Sequence, residues 1–348
     1  MHTILIVGQG LVGTMFALQC LKNNIDFTII SASKYSQCSR VAAGIINPIN
    51  FYRITSTWRA REFLTYNNKF YYWLNQYANK TFYRDLSCVK IFTSEAETTK
   101  WKQKQNDEEY IEYISVCNDT QYKDICTPYG YGYVSQCGHL DILKMIQWFA
   151  QVFNNNIVNE KFDPKALNLE HLTYHHKKYS AIVFCEGYRV AENPWFGYLK
   201  MKPVKGELLT VQNPNLKISC ILNKSGYVLP LHNNQYTIGA TYEWDQLNEQ
   251  GTTDAKNILY NKWNQITNQE ALIIDHLAGI RPASADRKPY LGHHPIYKRL
   301  WVCNGMGTKG AIQSPLCTAL LLAAIINGDT IDKEINCDRK IAINKKLL

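Results

Sequence analysis

Residues 3–30 read TILIVGQGLVGTMFALQCLKNNIDFTII, and the way this stretch divides decides the fold. Residues 2–21 contain no Asp, Glu, Lys or Arg, and about 20 apolar residues suffice to cross a bilayer. A basic leader and a small-residue cleavage site are missing, however, and glycines fall at positions 8, 10 and 13. Those glycines cut the stretch into a β-branched run from Thr3 to Val7, a turn, a helix from about Leu11 to Asn23, and a second strand around Phe27 to Ile30. The reading is therefore a βαβ unit and not a membrane span.

Within Gly8-Gln9-Gly10-Leu11-Val12-Gly13 each glycine has a separate task. The first allows a tight turn, the second lets the backbone approach a pyrophosphate, and the third lets the helix pack closely on the strand. The pyrophosphate then sits at the helix N-terminus, where free N–H groups and the dipole favour anions. One residue departs from the fingerprint. The acid expected at the end of the second strand is replaced by Ser31, with no acid until Glu62, so the ribose contact falls to Ser31, Ser33 or Lys34.

The 348 residues, 46% hydrophobic and 19% charged, exclude a disordered or fibrous chain and suggest two domains. Lys plus Arg number 38 against 29 acids, a net charge of +9 that is spread along the whole length and mildly favours anionic ligands. The 11 cysteines are scattered without a CxxC pair, which argues against a disulfide framework or zinc finger and fits a reducing cytoplasm. His293 and His294 are adjacent and cannot share a helical face as HExxH ligands do, so no metal site is expected. GxSxG and Walker sequences are absent, which removes serine-hydrolase and P-loop chemistry.

Further along, Trp58 to Tyr77 has apolar residues at 63, 66, 70, 74 and 77, a spacing that predicts a helix with a core-facing stripe. Strands are expected at 88–92 and 110–117 around a charged, solvated helix from Glu95 to Glu109. Asp141 to Phe153 reads as a helix, and Ala181 to Cys185 as a buried strand ending in Glu186-Gly187. Alternating runs between Val204 and Thr241 predict an antiparallel sheet. A strand from Leu300 to Cys303, the run NGMGTKG and an apolar helix from about Ala311 to Ile326 follow.

Several of these segments together resemble the FAD-dependent oxidoreductases of the D-amino-acid oxidase fold, of a glycine-oxidase-like type. They are VGQGLVGTMFALQCL, CSRVAAGIINP (38–48), HLDILKMI (139–146), IVFCEG (182–187), KPVKGELLTV (202–211), GYVLPL through TIGATY (226–242), AGIRPASADRKPYLGHHP (278–295) and LWVCNGMGTKGAIQSP (300–315). Residues 50–135 carry no such match. The resemblance implies an α/β fold: a Rossmann-like FAD-binding domain assembled from residues 1–50, 140–200 and 278–345, with an interleaved α+β substrate domain, residues 51–139 and 201–277, built on an antiparallel sheet. It also implies cofactor contacts at Gly8, Gly10, Leu11, Val12, Gly13, Ser31, Ser39, Arg40, Ala43, Gly44, Glu186, Gly187, Gly305, Gly307, Thr308, Lys309 and Gly310. FAD is expected to be non-covalent, because the RPASAD stretch holds no cysteine for a flavin link.

In such proteins a substrate Cα–H faces flavin N5 and leaves as hydride, so side chains supply position and electrostatics. Arg281 falls at the carboxylate-binding position, where a planar fork of donors suits a two-oxygen anion better than lysine does. Tyr227 and Tyr242 fall where the glycine-oxidase pattern has a carboxylate-touching tyrosine and a pocket-lining side chain. Thr308 stands where such proteins can carry arginine, and Lys309 beside it either supplies charge near the flavin or is exposed. Gly305, Gly307 and Gly310 lead into a helix whose positive dipole end aims at the flavin N1–C2=O edge or is simply a glycine-rich helix entrance.

Three functions remain open. One is oxidation of the C–N bond of a small amino acid or secondary amine, with oxygen or a quinone as electron acceptor. Another is tRNA wobble-uridine modification, like the oxidase module of the methylaminomethyl-thiouridine enzyme, which the +9 charge permits without a concentrated basic patch to favour nucleic acid. The third is a catalytically silent FAD-binding protein. Sequence does not fix the oligomeric state.

Overall fold

The computed structural model of the protein describes residues 2–32, 38–117 and 124–339. The chain forms two compact units, one from residues 1–42, 142–204 and 280–348, the other from 43–141 and 205–279. These junctions stand beside sequence-based limits of 50, 139, 200 and 277.

The first unit is organised by a six-stranded sheet. Its spatial order is Ile157–Val158, β2 (Asp26–Ile30), β1 (Thr3–Val7), Ala181–Phe184, Leu300–Asn304 and Tyr290–His293. The first five strands are parallel and the last is antiparallel. Ile4 stands opposite both Phe27 and Ala181. Ile4, Leu5 and Ile6 are all fully buried, because a parallel sheet covered on both faces needs an unbroken apolar run and not an alternating one.

Two helices pack together in this unit: α1 (Leu11–Lys22) and the Gly310–Asn327 helix. Among the described residues the stretch Gly307–Asn327 alone is long and apolar enough to cross a membrane, yet 56% of its apolar window is buried. Inside it the buried Gln19 amide donates to the Pro315 carbonyl at 2.9 Å, a cross-helix bond that marks it as a core helix.

An eight-stranded sheet organises the second unit, in the order Leu272–Arg281, Val204–Gln212, Gln235–Gly239, Tyr227–Pro230, Ile221–Asn223, Cys88–Ile91, Tyr131–Val134 and Ile114–Cys117. From Val204–Gln212 to Ile114–Cys117 the pairings are antiparallel except for the parallel contact of Ile221–Asn223 with Cys88–Ile91. The Thr253–Ile266 helix buries Leu259, Trp263 and Ile266 against Val89, Leu209 and Val228. Its N-terminus is capped by Thr252, whose hydroxyl accepts from the Ala255 N–H at 3.2 Å.

Three local expectations need correction. The helix over residues 58–77 runs Ala60–Ala78, and while Phe63, Phe70 and Leu74 of its stripe are buried, Tyr77 is 50% exposed at its margin. The solvated helix is shorter, Glu95–Lys104, and its Trp101 is fully buried with the indole N–H donating to the Ser115 carbonyl at 3.2 Å. Gly132 makes that burial possible, since a Cβ there would lie 2.3 Å from the indole nitrogen. The strand expected over 110–117 starts only at Ile114.

Candidate active site

Steric crowding fixes the first glycine turn. Gly8 has φ +106°, and a Cβ on it would stand 2.5 Å from the Cys185 carbonyl oxygen. A Cβ on Gly13 would stand 1.9 Å from the Gly8 carbonyl oxygen, so the helix could not approach the strand with any larger residue there. Gly10 is the N-cap of α1, no side chain caps it, and the first turn carries no acid. The loop thereby presents backbone donors with a positive dipole end, the arrangement that an anion requires.

Two hydroxyls hold this loop. Ser31, at the end of β2, accepts from the Gln9 N–H at 3.2 Å, and Ser39, in the short Cys38–Val41 helix, accepts from the Leu11 N–H at 2.9 Å. Val12 is partly buried and Arg40 is exposed. Ser33 and Lys34, the other ribose candidates, lie outside the described residues.

The neighbouring strand Ala181–Phe184 ends in Cys185-Glu186-Gly187. Gly187 turns the chain with φ +60°, and its carbonyl accepts from the Asn304 amide at 2.8 Å, while the Asn304 side-chain oxygen accepts from the Gly305 N–H at 2.8 Å. Asn304 thus ties two strand ends together. The Asn193 amide donates to the Glu186 carboxyl at 2.7 Å. Burial pushes the Glu186 carboxyl up to about 7, the Asn193 bond working against that rise.

At the C-terminal run, Gly305 and Gly307 adopt φ +82° and +52°, a turn of 3-10 helix covers Gly307–Lys309, and the long helix opens at Gly310. The Gly307 N–H donates to the Pro282 carbonyl at 3.1 Å, and Met306 bridges Ala283. Arg281, last residue of the Leu272–Arg281 strand, is therefore set immediately before the segment that braces this turn. Gly310 meets α1, a Cβ on it lying 3.0 Å from a Leu11 methyl carbon. Thr308 is exposed and Lys309 partly buried.

The remaining sequence candidates belong to the second unit. Gly44 has φ +65° and its carbonyl accepts from the Leu140 N–H at 2.9 Å; Ala43 precedes it. Tyr227 opens the Tyr227–Pro230 strand opposite Gly239, and its ring fills the place of the missing side chain, 2.2 Å from an ideal Cβ. Tyr242 is 55% exposed and stacks on Trp244 at 6.2 Å.

Sequence reasoning missed a set of buried polar atoms. Gln9 Nε2, Thr14 Oγ1, Gln313 Oε1 and Ser314 Oγ are buried without a hydrogen-bond partner among the described residues, and all four belong to the 8–13 turn or to the beginnings of the two helices. Buried polar groups are nearly always satisfied, so atoms left without partners here fit a polar ligand that these turns are built to hold. The readable signal is Gln313-Ser314, a polar pair inside an otherwise apolar helix. Together with the anion-ready N-terminus of α1, these donors and acceptors fit a phosphate-bearing dinucleotide. Among the described residues no three His, Cys, Asp or Glu side chains come together as metal ligands, and ten cysteines are free thiols.

Residues 3–325 match the FAD dependent oxidoreductase (DAO) family. The chain belongs to that family. FAD is its cofactor, and it is an FAD-dependent oxidoreductase. Curated relatives include a glycine oxidase of Bacillus licheniformis, 29% identical over 45% of this chain and 46% of its own length. The tRNA 5-methylaminomethyl-2-thiouridine biosynthesis bifunctional protein MnmC of Legionella pneumophila is 25% identical over 94% of this chain and 54% of its own. The chain thus spans about half the length of these relatives. In structure it is similar to a glycine oxidase from Geobacillus kaustophilus, with a TM-score of 0.82, 19% identity, and 98% of this chain and 100% of the other covered. This likeness gives the same fold, a mixed α/β architecture with parallel and antiparallel sheets.

Proposed function

We propose that this DAO-family enzyme oxidises the C–N bond of a small amino acid or secondary amine bearing a carboxylate. The observation that carries the reading is the position of Arg281, joined through Pro282 and Ala283 to the turn that opens the Gly310–Asn327 helix. A guanidinium there offers two parallel donors to a carboxylate beside the cofactor, which fixes the substrate Cα in one orientation. Bound non-covalently, FAD supplies the hydride acceptor at flavin N5. The turn Gly8, Gly10, Leu11, Val12 and Gly13 holds its pyrophosphate at the α1 N-terminus, with Ser31, Ser39 and Arg40 beside it; the Gly8 and Leu11 N–H groups already donate to the Ile30 carbonyl and the Ser39 hydroxyl and serve to shape the turn. Glu186, Gly187, Gly305, Gly307, Thr308, Lys309 and Gly310 line the rest. Helix-dipole charge at Gly310 favours the negative charge that reduction brings.

Anaerobic bleaching of the flavin spectrum by a panel of amines and amino acids tests this. A charge-assisted bidentate contact is worth on the order of 1.5–3 kcal/mol, so Arg281→Ala, with full FAD content and unchanged melting temperature, is expected to weaken a carboxylate substrate at least about tenfold. Arg281→Lys is expected to recover part of this, since the charge stays and the fork is lost. Equal saturation curves for wild type and Arg281→Ala would remove the assigned role.

A second reading is favoured by one observation: the MnmC relative aligns over 94% of this chain, the Bacillus glycine oxidase over 45%. A wobble-uridine carboxymethylamino group presents the same glycine-like carboxylate to Arg281. Salt-sensitive binding of tRNA, with tRNA bleaching the flavin while free glycine does not, separates the two.

A further inference from the structure

Acids are sparse around the cofactor turn. Ser31 follows β2, β1 runs into Gly8, and the first turn of α1 carries no acid. Glu186 is the exception: it follows the strand paired with β1, and its Cα lies 3.6 Å from the place a Cβ on Gly8 would take. The backbone of an acidic residue thus stands beside the loop built for a pyrophosphate. Two negative groups at one site repel, and the low-dielectric surroundings of the partly buried Glu186 strengthen that repulsion.

We infer that Glu186 is a proton-linked cofactor contact, which takes up one proton when FAD binds and then donates its O–H to the cofactor. The Asn193 amide, at 2.7 Å, fixes one carboxyl oxygen and leaves the other to carry the proton. Asn193 is itself locked, its side-chain oxygen accepting from the Trp195 and Phe196 N–H groups, each at 2.9 Å. The other charges that act on Glu186 are Glu192, which opposes its ionisation, and Lys161, which favours it; the Cys185 thiol is pushed up by burial and by Glu186 itself. The α1 N-terminus also favours the ionised form, while the incoming pyrophosphate opposes it more strongly because it carries two full charges. Burial holds the carboxyl up at about 7, so neutral pH is where the linkage is felt. The sign follows: FAD binds the protonated form better, and its affinity falls as pH rises through that value.

This inference rests on the FAD-binding reading of the 8–13 turn, and the test keeps the two apart. Apoprotein titrated with FAD by flavin fluorescence is expected to bind roughly tenfold more weakly at about pH 8 than at about pH 6. Calorimetry in two buffers of different ionisation enthalpy is expected to show net proton uptake near neutrality. Glu186→Gln keeps the shape and the Asn193 bond without the charge, so both effects are expected to vanish while the affinity remains at its low-pH value. Glu186→Ser serves as a second neutral variant should the first not fold. No FAD binding at any pH would defeat the cofactor reading itself. Binding with a flat pH profile, proton release, or a slope that persists in Glu186→Gln would overturn the Glu186 role alone.

Discussion

Two glycine-rich turns lead into helices in the first unit, and they use glycine for different reasons. At residues 8–13 space is the tighter demand, although Gly8 also needs its positive φ of +106°: the protein's own carbonyls stand 2.5 Å and 1.9 Å from where side chains at Gly8 and Gly13 would begin. At residues 305–310 the demand is conformation: Gly305 and Gly307 need positive φ, while the atoms nearest an added Cβ stand off at 3.0 Å and 3.3 Å. The first turn is locked by strand–helix contact, and the second is shaped by the backbone and braced by Pro282 and Ala283. Crowding tolerates no substitution, whereas conformational cost can be met in part by small residues.

The difference can be broken by substitution, beginning with the largest effect. Gly13→Ala forces α1 away from β1 and is expected to cost about 3 kcal/mol or more, read as lost FAD content and a collapsed melting temperature. A folded, yellow Gly13→Ala protein would show that crowding does not govern this turn. Gly307→Ala places a side chain at φ +52°, with an expected cost of about 1 kcal/mol, seen as a modest drop in denaturation midpoint with FAD retained. If Gly307→Ala proved as damaging as Gly13→Ala, the contrast between the two turns would be void. Ser39→Ala removes the acceptor of the Leu11 N–H and sharpens the picture at the small end. Apoprotein stability is expected to fall by about 0.5–1.5 kcal/mol, measured by urea titration without FAD, because that N–H loses its hydroxyl partner.

The same contrast explains what could be read beforehand. Spacing along 3–30 located β1, α1 and β2 because sterically required glycines and an unbroken apolar run are local signals. The alternation after Val204 similarly exposed the sheet of the second unit. Trp101 was hidden because its burial depends on Gly132, on a strand about 30 residues further along, and no window around 101 contains that fact. Tyr77 was misplaced for the reverse reason: the helical period is right, but the neighbours end before its side chain is covered. Gln9, Thr14, Gln313 and Ser314 look like ordinary polar residues until the fold buries them, and Asn304 acts on Gly187, a strand end far from it in the chain. Arg281 was reachable only by its likeness to a family motif, since a single arginine before a proline carries little spacing information.

The parallel sheet of the first unit has a consequence for how the chain is made. Ile4 pairs with Ala181 and Ile182 pairs with Leu300, so neighbours in space leave the ribosome far apart in time. β1, with residues 4–6 wholly buried in the finished sheet, emerges first and can pair early only with β2. Its other edge waits for the Ala181–Phe184 strand from the middle of the chain, and the apolar face of α1 waits for a helix from the last quarter. Such distant pairings fold slowly and leave sticky edges open meanwhile. A nascent chain halted before residue 300 is therefore a client for holding chaperones, and its yield on overproduction is expected to depend on their supply more than on the melting temperature of the finished enzyme.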